Sequence, residues 1–283
     1  MRRIHLSLFA ASLTLLALCA TSVEAQRGTR AGQYSVRRAT LRERTLRFDL
    51  GPYERGLNDS GIILGPYDES AYGLRFQDYD GAGGDDVTVQ LGLGLAYGIV
   101  DDVEIGVLAA PLNFSDGQVY GDLSTYVRWA FVNESNVQFG LQGTVQVPTA
   151  TNLGFGFGLP LNINAGRIVR IETGAKVEVV FDDVDRSAPA DGDDDPRLAI
   201  DVPIALSFNI RPRGFLGGRA DLLWDAKIGD ADAFRAGAGA FGGFSILGSR
   251  AQYVDFTGSM MGYFRDQAFD WEFVFGSTIA LGL

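Results

Sequence analysis

The sequence predicts an all-β protein, a transmembrane antiparallel up-and-down β-barrel of about twelve strands with both termini on the periplasmic side. Three observations predict it. Apolar residues alternate with small or polar ones at a period of two over most of the chain from Val87 to Leu283. Tight connections alternate with longer ones. The chain also opens with a segment laid out like an export signal.

That segment begins Met1-Arg2-Arg3, runs through apolar residues from Leu6 to Ala20 and reaches Val23-Glu24-Ala25 before Gln26. A basic start, an apolar centre and a small-residue cleavage site read as a secretory signal over residues 1–25. The apolar run of roughly 15 residues is shorter than the about 20 that a membrane-crossing helix needs. Anchoring as a lipoprotein through Cys19 is disfavoured, because Leu18 stands where that route wants a small residue. Cleavage after Ala25 removes both Cys19 and His5, the single cysteine and the single histidine. Disulfides, thiolate nucleophiles, imidazole bases and the usual zinc or haem ligands are then unavailable, so neither an enzyme nor a cofactor is expected. Without Arg2, Arg3 and Glu24 the chain keeps 22 basic and 34 acidic residues, a net charge of −12. That balance argues against a nucleic-acid partner, whose binding rests on phosphate neutralisation.

The strands follow in order. Val87 to Tyr97, VTVQLGLGLAY, sets Val87, Val89, Leu91, Leu93, Leu95 and Tyr97 on one face, and after the turn at 98–102 Val103, Ile105 and Val107 resume it. Apolar faces recur at Leu123/Val127/Trp129/Phe131, Val137/Phe139/Leu141/Val145, Phe155/Phe157/Leu159/Leu161 and Ile171/Ala175/Val177/Val179. They continue at Ile200/Val202/Ile204/Leu206, Leu216/Ala220/Leu222/Trp224, Phe234/Ala236/Ala238/Ala240, Phe256/Met260 and Phe269/Trp271/Phe273/Phe275. With a first strand near Tyr72–Tyr79, this makes about twelve segments of roughly 9 to 13 residues, enough for a tilted strand to cross a bilayer.

Turns near 98–102, 132–136, 166–170, 211–215 and 247–250 are tight, whereas 112–120, 182–197 and 225–233 are long. Membrane barrels put short turns on the periplasmic side and longer loops outside. Trp129 and Tyr97 fall at the periplasmic ends of their strands and Trp224 and Trp271 at the other ends, as two aromatic girdles would require. A water-soluble β-sandwich also alternates, but its strands average nearer 5 or 6 residues. Pro160 and Pro203 each remove a ladder donor and are expected to face the lumen, where a kink is tolerated. The last residue, Leu283, departs from the aromatic ending common in such barrels.

At AYGIVDDVEIGVLAAP (96–111) and YGDLSTYVRWAF (120–131), the chain resembles the outer-membrane barrel family of the MetA pathway of phenol degradation. The matching positions are Tyr97, Gly98, Asp101, Asp102, Gly106, Pro111, Gly121 and Asp122. The resemblance implies a barrel that helps apolar or aromatic compounds cross the outer membrane. It carries no catalytic residue.

The expected division is 1–25 signal peptide, 26–70 an Arg-rich periplasmic tail or plug, and 71–283 the barrel. The first part of the Arg-rich stretch, Gln26 to Leu46, holds Arg27, Arg30, Arg37, Arg38, Arg42 and Arg44 against the single acid Glu43. The inward face carries the candidate lumen-lining residues Glu104, Arg128, Glu172, Lys176, Glu178, Asp201, Arg219, Asp221, Arg235, Asp255, Asp270 and Glu272. Glu104 and Arg128 lie symmetrically about position 116 and are expected to pair across their hairpin; Glu178 and Asp201 are expected to meet as like charges across the next long loop. Residues 182–197, with seven Asp, read as a solvated loop in preference to a calcium site, because the EF-hand spacing is missing. Expected partners are outer-membrane lipid and lipopolysaccharide, the barrel-assembly machinery during biogenesis and a small solute. Three functions compete: a passive porin-like channel or transporter for small solutes, a non-conducting structural or adhesive barrel, and a carboxylate-only hydrolase.

Overall fold

The structure is a computed structural model. It describes residues 39–50, 74–78, 88–113, 123–134, 136–147, 153–165, 168–180, 197–210, 213–227, 233–248, 252–265 and 268–283. The predicted signal at 1–25 and the acidic loop, apart from Arg197, lie outside the described residues.

Alternation builds the strands β1 (Thr45–Leu50), β2 (Leu74–Asp78), β3 (Thr88–Val100), β4 (Val103–Asn113), β5 (Leu123–Asn133), β6 (Val137–Val147) and β7 (Gly154–Ala165). It continues with β8 (Val169–Val180), β9 (Arg197–Ile210), β10 (Gly214–Lys227), β11 (Ala233–Gly248), β12 (Tyr253–Arg265) and β13 (Ala268–Gly282). From β3 to β13 each strand pairs antiparallel with the next, and β1 and β2 both pair with β13 and β3, closing the ring.

Among the described residues thirteen strands make twelve staves, because β1 and β2 share one position. β1 runs from Thr45 opposite Gly282 to Leu50 opposite Ser277, and β2 resumes with Leu74 opposite Phe275. On β13 a single rung, Gly276, separates the two halves. The wall therefore begins at Thr45, inside the stretch 26–70 that the sequence assigns to a tail or plug. The six residues TLRFDL carry the alternation themselves, with Thr45, Arg47 and Asp49 buried and Phe48 and Leu50 exposed. The segment is too short to stand out beside strands of 11 to 16 residues.

Burial is inverted relative to a water-soluble protein. Val127 and Trp129 are 52% and 51% exposed, whereas Glu104 and Arg128 are fully buried. Such an outward apolar band is what a bilayer solvates, and it excludes the sandwich. Substituting Val127, at mid-strand, by Arg is expected to cost about 2–4 kcal/mol in lipid. Urea unfolding of the refolded protein in bilayers reads it.

The lumen face depends on glycine. A Cβ at Gly106 would lie 2.2 Å from the ring of Tyr126, one at Gly217 2.6 Å from Phe241, one at Gly243 2.7 Å from Phe215 and one at Gly239 2.5 Å from the sulfur of Met261. Each of the four is the direct cross-strand partner of the glycine it covers. A ring laid flat on a bare backbone packs against the wall instead of projecting across the lumen. Both prolines face inward and are buried as expected. The paired rungs skip from Phe139–Leu161 to Gln142–Gly158 beside Pro160, and from Thr173–Ile204 to Lys176–Asp201 beside Pro203. Proline has no N–H to offer there. The alternation of connections has one departure, since β12 and β13 are joined at the loop end by two residues, 266 and 267.

Candidate functional site

The end of the lumen that carries residues 39–44 and the C-terminal Leu283 holds a continuous polar network. It is centred on Glu104, which β4 places opposite Arg128 of β5. The Glu104 carboxylate lies 3.8 Å from the Arg128 guanidinium and 3.4 Å from that of Arg47 on β1. Tyr126 donates its hydroxyl hydrogen to Glu104 at 2.6 Å and accepts a hydrogen bond from Arg47 at 3.1 Å. Arg47 also pairs with Asp49 at 2.8 Å, and Asp49 accepts a bond from Thr278 of β13. Arg128 donates from Nε and Nη2 to the amide oxygen of Gln142 at 2.9 and 2.7 Å. Buried charges persist only when paired and hydrogen-bonded in this way.

Residues 39–44 fold into this mouth. Ala39, Thr40 and Leu41 are buried, and Leu41 clusters with Ala96, Leu108 and Tyr126 of the inner wall. Leu41 donates its N–H to Glu104 at 2.8 Å, and Arg128 donates to the carbonyl of Ala39 at 2.9 Å. Thr40 and Glu43 bond to Asp101 at the β3–β4 turn. Gly98 makes the seat, since a Cβ there would lie 2.0 Å from the Arg42 carbonyl oxygen.

The other candidate lumen residues whose side chains are described have local partners. Glu172 meets Arg170 at 2.5 Å, Arg219 meets Asp221 at 2.7 Å and Lys176 meets Asp201 at 3.7 Å. Ser245 donates a hydrogen bond to Asp255. The expected Glu178–Asp201 encounter is corrected. Across β8 and β9 Asp201 faces Lys176 and Glu178 faces Ala199, a register two residues from the symmetric one. That shift keeps both on the inward face and exchanges a like-charge contact for an ion pair. The side chains of Glu178, Arg235, Asp270 and Glu272 lie outside the described residues; their backbones face Gly156, Leu223, Tyr263 and Met261. The Lys176–Asp201 pair is 14% and 23% exposed, whereas Arg170 and Glu172 are 1% exposed. The described lumen is thus tightly filled toward the end that carries residues 39–44 and more open toward the opposite end. Among the described residues no group of three potential ligands is placed to hold a metal ion.

Sequence reasoning missed Arg47, Asp49 and Tyr126. The first two lie in the short half-stave. Tyr126 reads as one more aromatic until Gly106, twenty residues away, is known to face it.

A solved structure shares this architecture. The COG4313 outer membrane channel from Pseudomonas putida F1 aligns over 91% of this chain and 99% of its own, with a TM-score of 0.52 at 10% identity. A bacterial polysaccharide outer membrane secretin aligns over 84% and 98%, with a TM-score of 0.45 at 10% identity. OccAB4 of Acinetobacter baumannii aligns over 86% and 99%, with a TM-score of 0.31 at 7% identity. At 0.52 the first shows the same barrel fold; the other two add no argument. No protein-family profile and no curated protein matches the chain.

Proposed function

We propose that the protein is an outer-membrane channel or passive transporter for small solutes, apolar and aromatic ones included. The observation that carries this reading is the width of the wall. Side chains alone fill a barrel of about eight strands, and roughly sixteen leave an open aqueous channel, so twelve staves leave room for a narrow passage. Phe215, Phe241 and Met261, each seated over a glycine of the neighbouring strand, preserve that room on the β10–β12 side. The resemblance of residues 96–131 to the phenol-degradation barrel family supports apolar or aromatic cargo. Export by the segment 1–25, residence in the outer membrane of a Gram-negative cell, contact with lipopolysaccharide and the absence of catalysis belong to the same proposal.

The burial of Glu104, Arg128, Arg170 and Glu172 favours a second reading, a filled barrel that binds lipopolysaccharide or a surface partner. Liposome swelling in arabinose and in benzoate separates the two. The channel reading expects swelling faster than in protein-free liposomes with at least one of these solutes. Equal rates with protein of verified fold would favour the filled barrel.

A further inference from the structure

We infer that residues 39–43 form a strap that swings about Arg44 and is latched shut by Glu104 and Arg128. The chain from Ala39 to Leu50 divides into two parts held by different chemistry. From Thr45 onward β1 is bound by two backbone ladders, to β13 and to β3. Before Arg44, the hydrogen bonds that tie the strap to the wall involve side chains throughout: Glu104, Arg128 and Asp101 receive or donate three of them, and the Thr40 hydroxyl makes the fourth, to a backbone carbonyl. Two ladders open only cooperatively, whereas side-chain contacts can be broken while the wall stays whole.

The junction is built as a pivot. Thr45 donates its N–H to the carbonyl of Arg42, closing a tight turn in which Arg44 takes a positive φ of 57°. That conformation is normally left to glycine. The Arg44 side chain is 73% exposed, so no buried contact of its side chain imposes it. The pivot itself is fixed to the wall, since Arg44 donates to the Gly98 carbonyl and accepts from Leu283. A strained turn at a fixed point, beside a segment held by side chains over a lumen, is the arrangement of a gate. This inference rests on the channel reading for its purpose, but its motion can be tested alone.

The test places one thiol in the strap, Leu41→Cys, in protein purified from outer membranes of an expressing host, and measures labelling by a membrane-impermeant maleimide. The same protein without the substitution supplies the background. Adding Glu104→Ala and Arg128→Ala together removes both latch atoms and leaves neither charge alone. Labelling is then expected to be about tenfold faster. Thr40→Val, which removes one anchor at the edge of the network, is expected to give a smaller acceleration and guards against misfolding of the first variant. Unchanged labelling in both, with heat-modifiable mobility retained, would mean a fixed cap and overturn the inference. Conductance of the same samples distinguishes the two claims. Faster labelling without added current keeps the strap and sinks the channel; channel current with unchanged labelling keeps the channel and sinks the strap.

Discussion

Replacing Glu104 by Leu is expected to destabilise the barrel by about 3–5 kcal/mol, more than any other single change in the network. The carboxylate stands between two guanidiniums, and without it Arg47 and Arg128 face each other in a space that admits almost no water. Arg128→Met should cost less, about 1–3 kcal/mol, because Glu104 keeps Arg47, Tyr126 and the Leu41 N–H. The double variant should be less damaging than the sum of the two. Urea unfolding of all three proteins in lipid, followed by tryptophan fluorescence, measures this asymmetry. Equal effects of the two single changes would mean that Glu104 is not the centre of the network.

Gly106→Val should be nearly as severe, at about 3–5 kcal/mol, since it overpacks the wall and breaks the hydroxyl bonds of Tyr126. The added Cβ would sit 2.2 Å from a ring carbon of Tyr126, so the ring would have to shift away from its hydrogen bonds with Glu104 and Arg47. Adding Tyr126→Ala should recover part of the folding yield by removing the obstacle. Gly143→Ala is the matched control: it is also a strand glycine, but no atom lies within 4 Å of the position its Cβ would take. It should refold normally. If Gly106→Val also refolds with normal yield and stability, the pairing of rings with bare backbone does not matter to the wall.

Much of this architecture can be read from residue order because a strand with lipid on one side has one rule, and that rule is local. Val127, Trp129, Phe155 and Phe157 point outward wherever the period of two says they should. The Glu104–Arg128 pair is readable too, since the register about position 116 is the symmetric one. Asp201 shows the limit. A register shift of two preserves every inside–outside assignment while changing every neighbour, so alternation cannot distinguish Glu178 from Lys176 as its partner. Half of the first stave, β2, lies within the strand expected near Tyr72–Tyr79; the other half, β1, was hidden for a different reason. It is six residues long and separated from β2 in the chain by residues 51–73, so it lacks the length expected of a membrane strand. The network around Arg47 is assembled by barrel closure, which joins residues 229 apart, such as Asp49 and Thr278.

The most direct test of the channel is single-channel recording from the protein purified from outer membranes and inserted into a planar bilayer. Small discrete openings that become larger or more frequent when Glu104 and Arg128 are both replaced by Ala are the expected result. An electrically silent bilayer, with protein shown to be inserted and folded and with the same silence in the double variant, would contradict it.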